Sequence, residues 1–235
     1  MLEGCAMSVL YPRVHQATQN LLARIGYQTI QVNQGCCGAL HAHNGDLPTA
    51  QKLAKQLIKD LPKDVPIIVN SAGCGSVMKE YSQLLQSDQD DFTSRVFDLS
   101  EFLYREGLID HLRQAPGLPG TTITYHDACH LAHGQRIASI PRELLAAIPG
   151  ATLVELDEAN TCCGSAGIYN ILQPAMARKL LDRKVENINK TGATIVATGN
   201  PGCHGWIAQG CEEQRSARVM HTAEVLEAAF GAHAS

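Results

Sequence analysis

Gly35-Cys36-Cys37-Gly38 and Thr161-Cys162-Cys163-Gly164 decide how this chain reads, because each doublet sits at the centre of the same larger pattern. Cys5 precedes the first doublet and Cys74 follows it; Cys129 precedes the second and Cys203 follows it. Moving from the first set to the second shifts the three parts by 124, 126 and 129 positions. Eight of the nine cysteines belong to the pattern, which implies a duplication. Each copy brings four thiols from three loops towards one point.

Working outward from the doublets, the two halves repeat one order of elements. In the first half, Pro12 to Ile25 reads as a helix with Val14, Ala17, Leu21 and Leu22 on one face. Tyr27 to Val32 reads as a short strand leading to Cys36-Cys37. Asp46 is placed to cap a helix over 47–61 that carries Pro48 in its first turn. Ile67-Ile68-Val69 is a buried strand that stops at Ser71-Ala72-Gly73-Cys74, and a helix follows towards Leu85. Val96 to Leu99 and a helix over 100–106 close the unit. In the second half, strands over 121–125, 152–156 and 194–198 lead to Cys129, Cys162-Cys163 and Cys203. Helices are expected over 137–148 and 166–190. A strand over 218–221 and a helix through Phe230 finish the unit. Strands alternating with helices predict two pseudo-symmetric, Rossmann-like α/β units with mostly parallel sheets. In such sheets sites form beyond the carboxyl ends of the strands, where all eight cysteines fall. The segment 111–120, with Pro116, Gly117, Pro119 and Gly120, is the expected linker, which divides the chain into repeats 1–115 and 116–235. Only four residues precede Cys5, so the first strand is expected to be cut short, as in a part of a longer polypeptide.

Bulk composition narrows the function classes. With 19 Lys+Arg against 23 Asp+Glu, the net charge of −4 argues against a nucleic-acid groove or an anionic-membrane patch. No apolar run reaches the roughly 18 residues of a transmembrane helix. Met1 to Cys5 is too short and too acidic to read as an export signal. A reducing, cytoplasmic compartment follows as the expectation, and there clustered cysteines mean metal binding or redox chemistry rather than structural disulfides.

Four thiolates per half suit a soft metal. Zinc is the first alternative, but structural zinc sites favour Cys-x-x-Cys knuckles, and the chain contains none. Adjacent cysteines with distant partners fit a larger object wrapped by several loops, and an iron–sulfur cluster is such an object. Glycines at 35, 38, 73, 75, 164, 199 and 202 let peptide N–H groups approach it.

These residues resemble a known family, the duplicated cysteine-rich CCG domain found in heterodisulfide reductase, in lactate-utilisation proteins and in the iron–sulfur subunit of glycolate oxidase. The resemblance is strongest to the C-terminal portion of the last. It rests on Glu3-Gly4-Cys5, Gly35 to His41, Ala72-Gly73-Cys74-Gly75 with Lys79-Glu80-Tyr81, Tyr125 to Gln135, and Asn200-Pro201-Gly202-Cys203, and it covers nearly the whole chain. It implies one cluster per repeat, of the [4Fe-4S] type. The ligands would be Cys5, Cys36, Cys37 and Cys74 in the first repeat and Cys129, Cys162, Cys163 and Cys203 in the second. The role implied is electron transfer for an FAD-containing subunit that oxidises a 2-hydroxy acid, glycolate or lactate. Electrons would go on towards a quinone-type acceptor, with the chain peripheral to the inner face of the membrane. Two departures stand out. The family pattern closes each set with Cys-x-x-Cys, where this chain has Val77 and Trp206. This chain also has no ferredoxin-like Cys-x2-Cys-x2-Cys segment.

Two other readings stay open: a thiol or disulfide reductase that meets substrate sulfur at a cluster, and a zinc-stabilised or metal-free scaffold for a partner. Among the remaining residues, His126, His130 and His133 flank Cys129 as candidate ligands or loop supports. His204 is a candidate hydrogen-bond donor beside Cys203. His41 and His43 read as surface residues, and Asp127 as a cap. Lys79 reads as an exposed lysine able to offset thiolate charge. Cys211 reads as a buried small hydrophobe, and Trp206 as packing against the site.

Overall fold

The computed structural model describes residues 1–231. Every strand pairing in it is parallel. Strands β1 (Ile67–Val69) and β2 (Val96–Asp98) form a small sheet. Strands β3 (Thr122–Tyr125), β4 (Thr152–Val154), β5 (Ile195–Thr198) and β6 (Arg218–His221) form a larger one in the order β4-β3-β5-β6. Parallel neighbours need long crossovers, and helices supply them. This is the α/β architecture expected from the alternation of elements, with Cys74, Cys129, Cys162-Cys163 and Cys203 beyond the ends of β1, β3, β4 and β5.

The apolar side chains of both halves meet in one cluster. Leu21 and Leu22 of the helix Pro12–Arg24 join Leu103, Leu112, Ile123, Leu144 and Leu226 there. The helix Thr222–Ala228 from the end of the chain packs on Pro12–Arg24, so the last element of the second half covers the first half. Two further clusters lie under the cysteines. Leu57, Val69, Met78 and Tyr81 gather beneath Cys37, and Leu181, Val185, Val196 and Ile207 gather beneath Cys163 and Cys203.

Several boundaries move, for identifiable reasons. The expected strand over 27–32 joins no ladder. In the second half β4 pairs with β3. The equivalent partner in the first half is the stretch ahead of Cys5, where Leu2 makes a single bridge to Val69. With one bridge in place of a strand, Tyr27–Val32 has no edge to pair with. It borders instead an apolar groove of about 260 Å³ between itself and Ile67-Ile68. The expected helix over 166–190 is split into Tyr169–Leu172 and Pro174–Thr191, because proline lacks the N–H that a helix continuing from upstream requires. The helix after β1 breaks at Glu80 into Ala72–Lys79 and Tyr81–Leu85. Asp46 caps the helix Leu47–Asp60 as expected, accepting from Thr49 N.

At the seam between the halves, His221 Nδ1 accepts from Ala223 N at 3.1 Å. That leaves Nε2 as the donor to Asn70 O at 2.9 Å. Burial depresses the His221 pKa to about 3, against roughly 6.5 in an unfolded chain. The unfolded chain therefore binds the proton first. The stability carried by the neutral ring is complete above pH ~6.5 and is lost as the pH falls towards 3, at about 1.4 kcal/mol per pH unit. We predict that urea midpoints fall between pH 6.5 and 4.5. His221→Leu is expected to lower stability at pH 7 by about 1–3 kcal/mol and to flatten that acid slope.

Candidate metal centre

Each four-cysteine set is assembled from the same three places. Cys5 opens the helix Cys5–Leu10, directly after the Leu2 bridge, and Cys74 lies in the first turn of the helix after β1. In the second half, Cys129 follows β3 and leads into a π-helical turn, His130–Gly134. Cys203 lies in the first turn of the helix Pro201–Glu213 after β5. The doublets come from the loops between. A helix start presents free peptide N–H groups and the positive end of its dipole, which favours a thiolate.

The sulfurs converge in rows. Cys5 Sγ lies 3.7 Å from Cys36 Sγ, and hydrogen bonding continues from Cys36 to Cys37 and on to Cys74. In the second set Cys162 bonds Cys163 and Cys163 bonds Cys203, with Cys129 close enough to Cys162 for their charges to interact. All nine cysteines are free, and Cys211 is buried in the apolar cluster that includes Cys163 and Cys203. Both rows line a single cleft of about 280 Å³, together with His43, His126, His130, Ser165 and Asn200.

The same glycine follows each doublet and does the same thing. Gly38 N points at Cys36 Sγ at 3.4 Å, and Gly164 N at Cys162 Sγ at 3.4 Å. Both adopt positive φ, +79° and +98°. A Cβ on Gly38 would lie 2.9 Å from Ala50 O, and one on Gly164 would lie 2.6 Å from Ala177 O. The loop presses bare backbone against the helix Leu47–Asp60 in the first half and Pro174–Thr191 in the second.

The thiols of the first row split: hydrogen bonds to Cys36, with burial, raise Cys5 and Cys37. Hydrogen bonds from Cys37 and Cys5 hold the Cys36 thiol down at about 2, as an anion. The Cys37 hydrogen bond likewise lowers Cys74. In the second row burial raises Cys129, and the Cys163 contact raises Cys162. A buried cation stands behind this row. Lys184 is 2% exposed, donates to Glu158 O and Ala159 O, and interacts favourably with Cys163 and Cys162. Sequence reasoning missed it, although Lys184 occupies an apolar position between Leu181, Val185 and Ile188 on the long helix. Such a lysine is buried only when it has partners.

The structure sorts the other candidates. His126 is buried beside Cys163 and Cys203. His43, exposed as expected, stacks on His130 at 4.2 Å across the cleft. His133 is exposed and His204 stacks on Tyr11, neither lining the cleft. His41 pairs with Asp46 at 3.1 Å. Asp127 is not a cap: Arg142 grips both its oxygens at 2.8 Å, a bidentate pair stronger than a turn hydrogen bond. Lys79 does not serve the thiolates, because Glu101 holds it at 2.7 Å. Trp206 packs on the apolar cluster beneath Cys163 and Cys203 but does not line the cleft.

Comparison with known proteins matches the family model described as a cysteine-rich domain, CCG, over residues 1–79 and 123–208. The chain is similar to a probable glycolate oxidase iron-sulfur subunit of Bacillus subtilis (strain 168), 36% identical over 97% of this chain and 54% of that protein. It is also similar to the glycolate oxidase iron-sulfur subunit of Escherichia coli (strain K12), 30% identical over 98% of this chain and 57% of that protein. A third relative is lactate utilization protein A of Exiguobacterium sp. (strain ATCC BAA-1283 / AT1b), 29% identical over 94% of both chains. The chain thus spans a little over half the length of the first two.

Because the clash at each doublet glycine is with backbone, Gly38→Ala and Gly164→Ala are each expected to cost roughly 2–5 kcal/mol, from left-handed strain plus overpacking. Denaturant unfolding measures this. A loss under 1 kcal/mol at both positions would mean that the doublet loops are not held as described.

Proposed function

From the premise that this chain belongs to the cysteine-rich CCG domain family, we propose that it is an iron–sulfur electron carrier. In this reading Cys5, Cys36, Cys37 and Cys74 hold one cluster. Cys129, Cys162, Cys163 and Cys203 hold a second, each within its own repeat, 1–115 or 116–235. The observation that carries the reading is the convergence of two four-sulfur rows on one cleft. The donor set is soft throughout, as an iron–sulfur core requires. A cleft of about 280 Å³ is also far roomier than a bare ion needs, given that one water occupies about 30 Å³. The names of the relatives, iron-sulfur subunits of glycolate oxidase among them, agree.

A bound cluster supplies one-electron redox chemistry. The protein supplies the rest. The thiols give up their protons to bind, so assembly releases protons and weakens at low pH. Gly38 N and Gly164 N aim at sulfur and tune its electron density. Lys184 offsets negative charge behind the second row. Leu10 and Leu40 stand at the mouth of the cleft, 62% and 51% exposed, an apolar rim suited to a docking partner. We assign that partner as an FAD-containing subunit oxidising a 2-hydroxy acid, glycolate or lactate, with electrons leaving towards a quinone-type acceptor. Such an acceptor places the complex at the inner face of a membrane. Among the described residues no helix is long and apolar enough to cross one.

A second reading, reduction of a substrate disulfide at a cluster, is favoured by the way the cleft opens to solvent beside Cys162. Turnover of a small disulfide by the reduced chain would support it over a pure carrier.

Anaerobic purification followed by iron and acid-labile sulfide analysis tests the carrier. Both are expected, with an EPR signal on reduction. Cys36→Ser and Cys162→Ser should each remove iron from one repeat and leave the circular dichroism of the fold unchanged. Zinc without sulfide would end the reading, and loss of folding in both variants without loss of electron transfer would point to a scaffold.

A further inference from the structure

His126 stands at the end of β3, three residues ahead of Cys129. In the first repeat Leu2 holds the equivalent place, three residues ahead of Cys5. Their backbones do the same work: Leu2 N donates to Ile68 O at 2.8 Å and His126 N to Ala197 O at 2.9 Å. Both side chains are 1% exposed. Leu2 is at home there, packed in an apolar cluster. His126 carries polar atoms into the same kind of burial, and its Nδ1 has no hydrogen-bond partner.

An orphaned buried polar atom costs about 1–3 kcal/mol, so its retention calls for a reason. The surroundings supply one. A ring nitrogen of His126 and the sulfurs of Cys163 and Cys203 all lie within 4.8 Å of one another. They come from three separate segments: the end of β3, the loop after β4 and the helix after β5. Among the described residues this is the one trio of histidine, cysteine and carboxylate groups gathered closely enough to hold an ion.

We infer that His126 is a fifth protein donor to the metal centre of the second repeat, beside Cys129, Cys162, Cys163 and Cys203. The inference rests on the carrier reading of the site. It makes the repeats unlike: Leu2 offers no donor, so the first centre has thiolates alone. Trp206, at the place where the family pattern closes with a further cysteine, offers no donor either. An imidazole brings no negative charge, so the second centre keeps the charge of its four thiolates while gaining a neutral donor that the first lacks.

The test uses the full chain, loaded anaerobically with iron and sulfide and labelled with ¹⁵N-histidine. Pulsed EPR of the reduced protein reads any nitrogen bound to the paramagnetic centre. A strong ¹⁵N coupling is expected in the wild type. It should be lost in His126→Asn and kept in His43→Asn and His130→Asn, the other histidines of the cleft. Should His126→Asn fail to fold, survival of the coupling in a His43→Asn/His130→Asn double variant makes the same assignment. Iron and sulfide present without histidine coupling, or coupling that vanishes with His43 or His130, overturns the inference and leaves the carrier reading intact. A chain that takes up neither iron nor sulfide overturns the carrier reading and this inference together.

Discussion

Ala72 N donates to Gly199 O at 3.0 Å and Gly73 N to Asn200 Oδ1 at 3.1 Å, and the rest of the site depends on this seam. These are the residues just beyond β1 and β5, the strands that aim Cys74 and Cys203. Gln135 Nε2 adds a bond to Ala72 O at 3.1 Å. The two sheets are thereby held with their carboxyl ends together, and two sets of loops that each belong to one repeat open into a common cleft. Behind the seam, His221 Nε2 holds Asn70 O, and the helix that follows His221 packs on Pro12–Arg24 of the first half. A duplication would give two sites on two surfaces; this contact makes them face each other.

Much of this was legible in the sequence, because the signals were local or periodic. The doublets, their outlying cysteines and the glycines beside them identified the loops. Runs such as Ile67-Ile68-Val69 and Thr194 to Thr198 identified the strands that end there. What the sequence concealed was pairing. Tyr27–Val32 has the composition of a strand, but a strand exists only against an edge, and a single Leu2–Val69 bridge does not make one. Asp127 looked like a cap because caps are read from nearest neighbours, whereas its partner Arg142 lies 15 residues on. Lys184 was hidden, whereas His126 was one candidate ligand among three. The lysine lay among ordinary surface charges of a long helix, although its apolar register betrayed it. The histidine stood in a row of three, and only the fold separates the buried one from exposed His133.

The two rows are built on one plan and tuned differently. In the first, thiols hydrogen-bond one another so that the pKa values of Cys36 and Cys74 are lowered, while Lys79 is occupied by Glu101. In the second, burial raises Cys129 and the hydrogen bond with Cys163 raises Cys162, and a buried lysine lies behind the row.

X-ray absorption at the iron edge of anaerobically prepared protein tests the central claim most directly, since it reads the metal and its neighbours at once. The account predicts an iron–sulfur shell with an iron–iron vector beyond it, arising from more than one iron per repeat. A protein whose bound metal is zinc, or isolated iron with no iron neighbour, would contradict it.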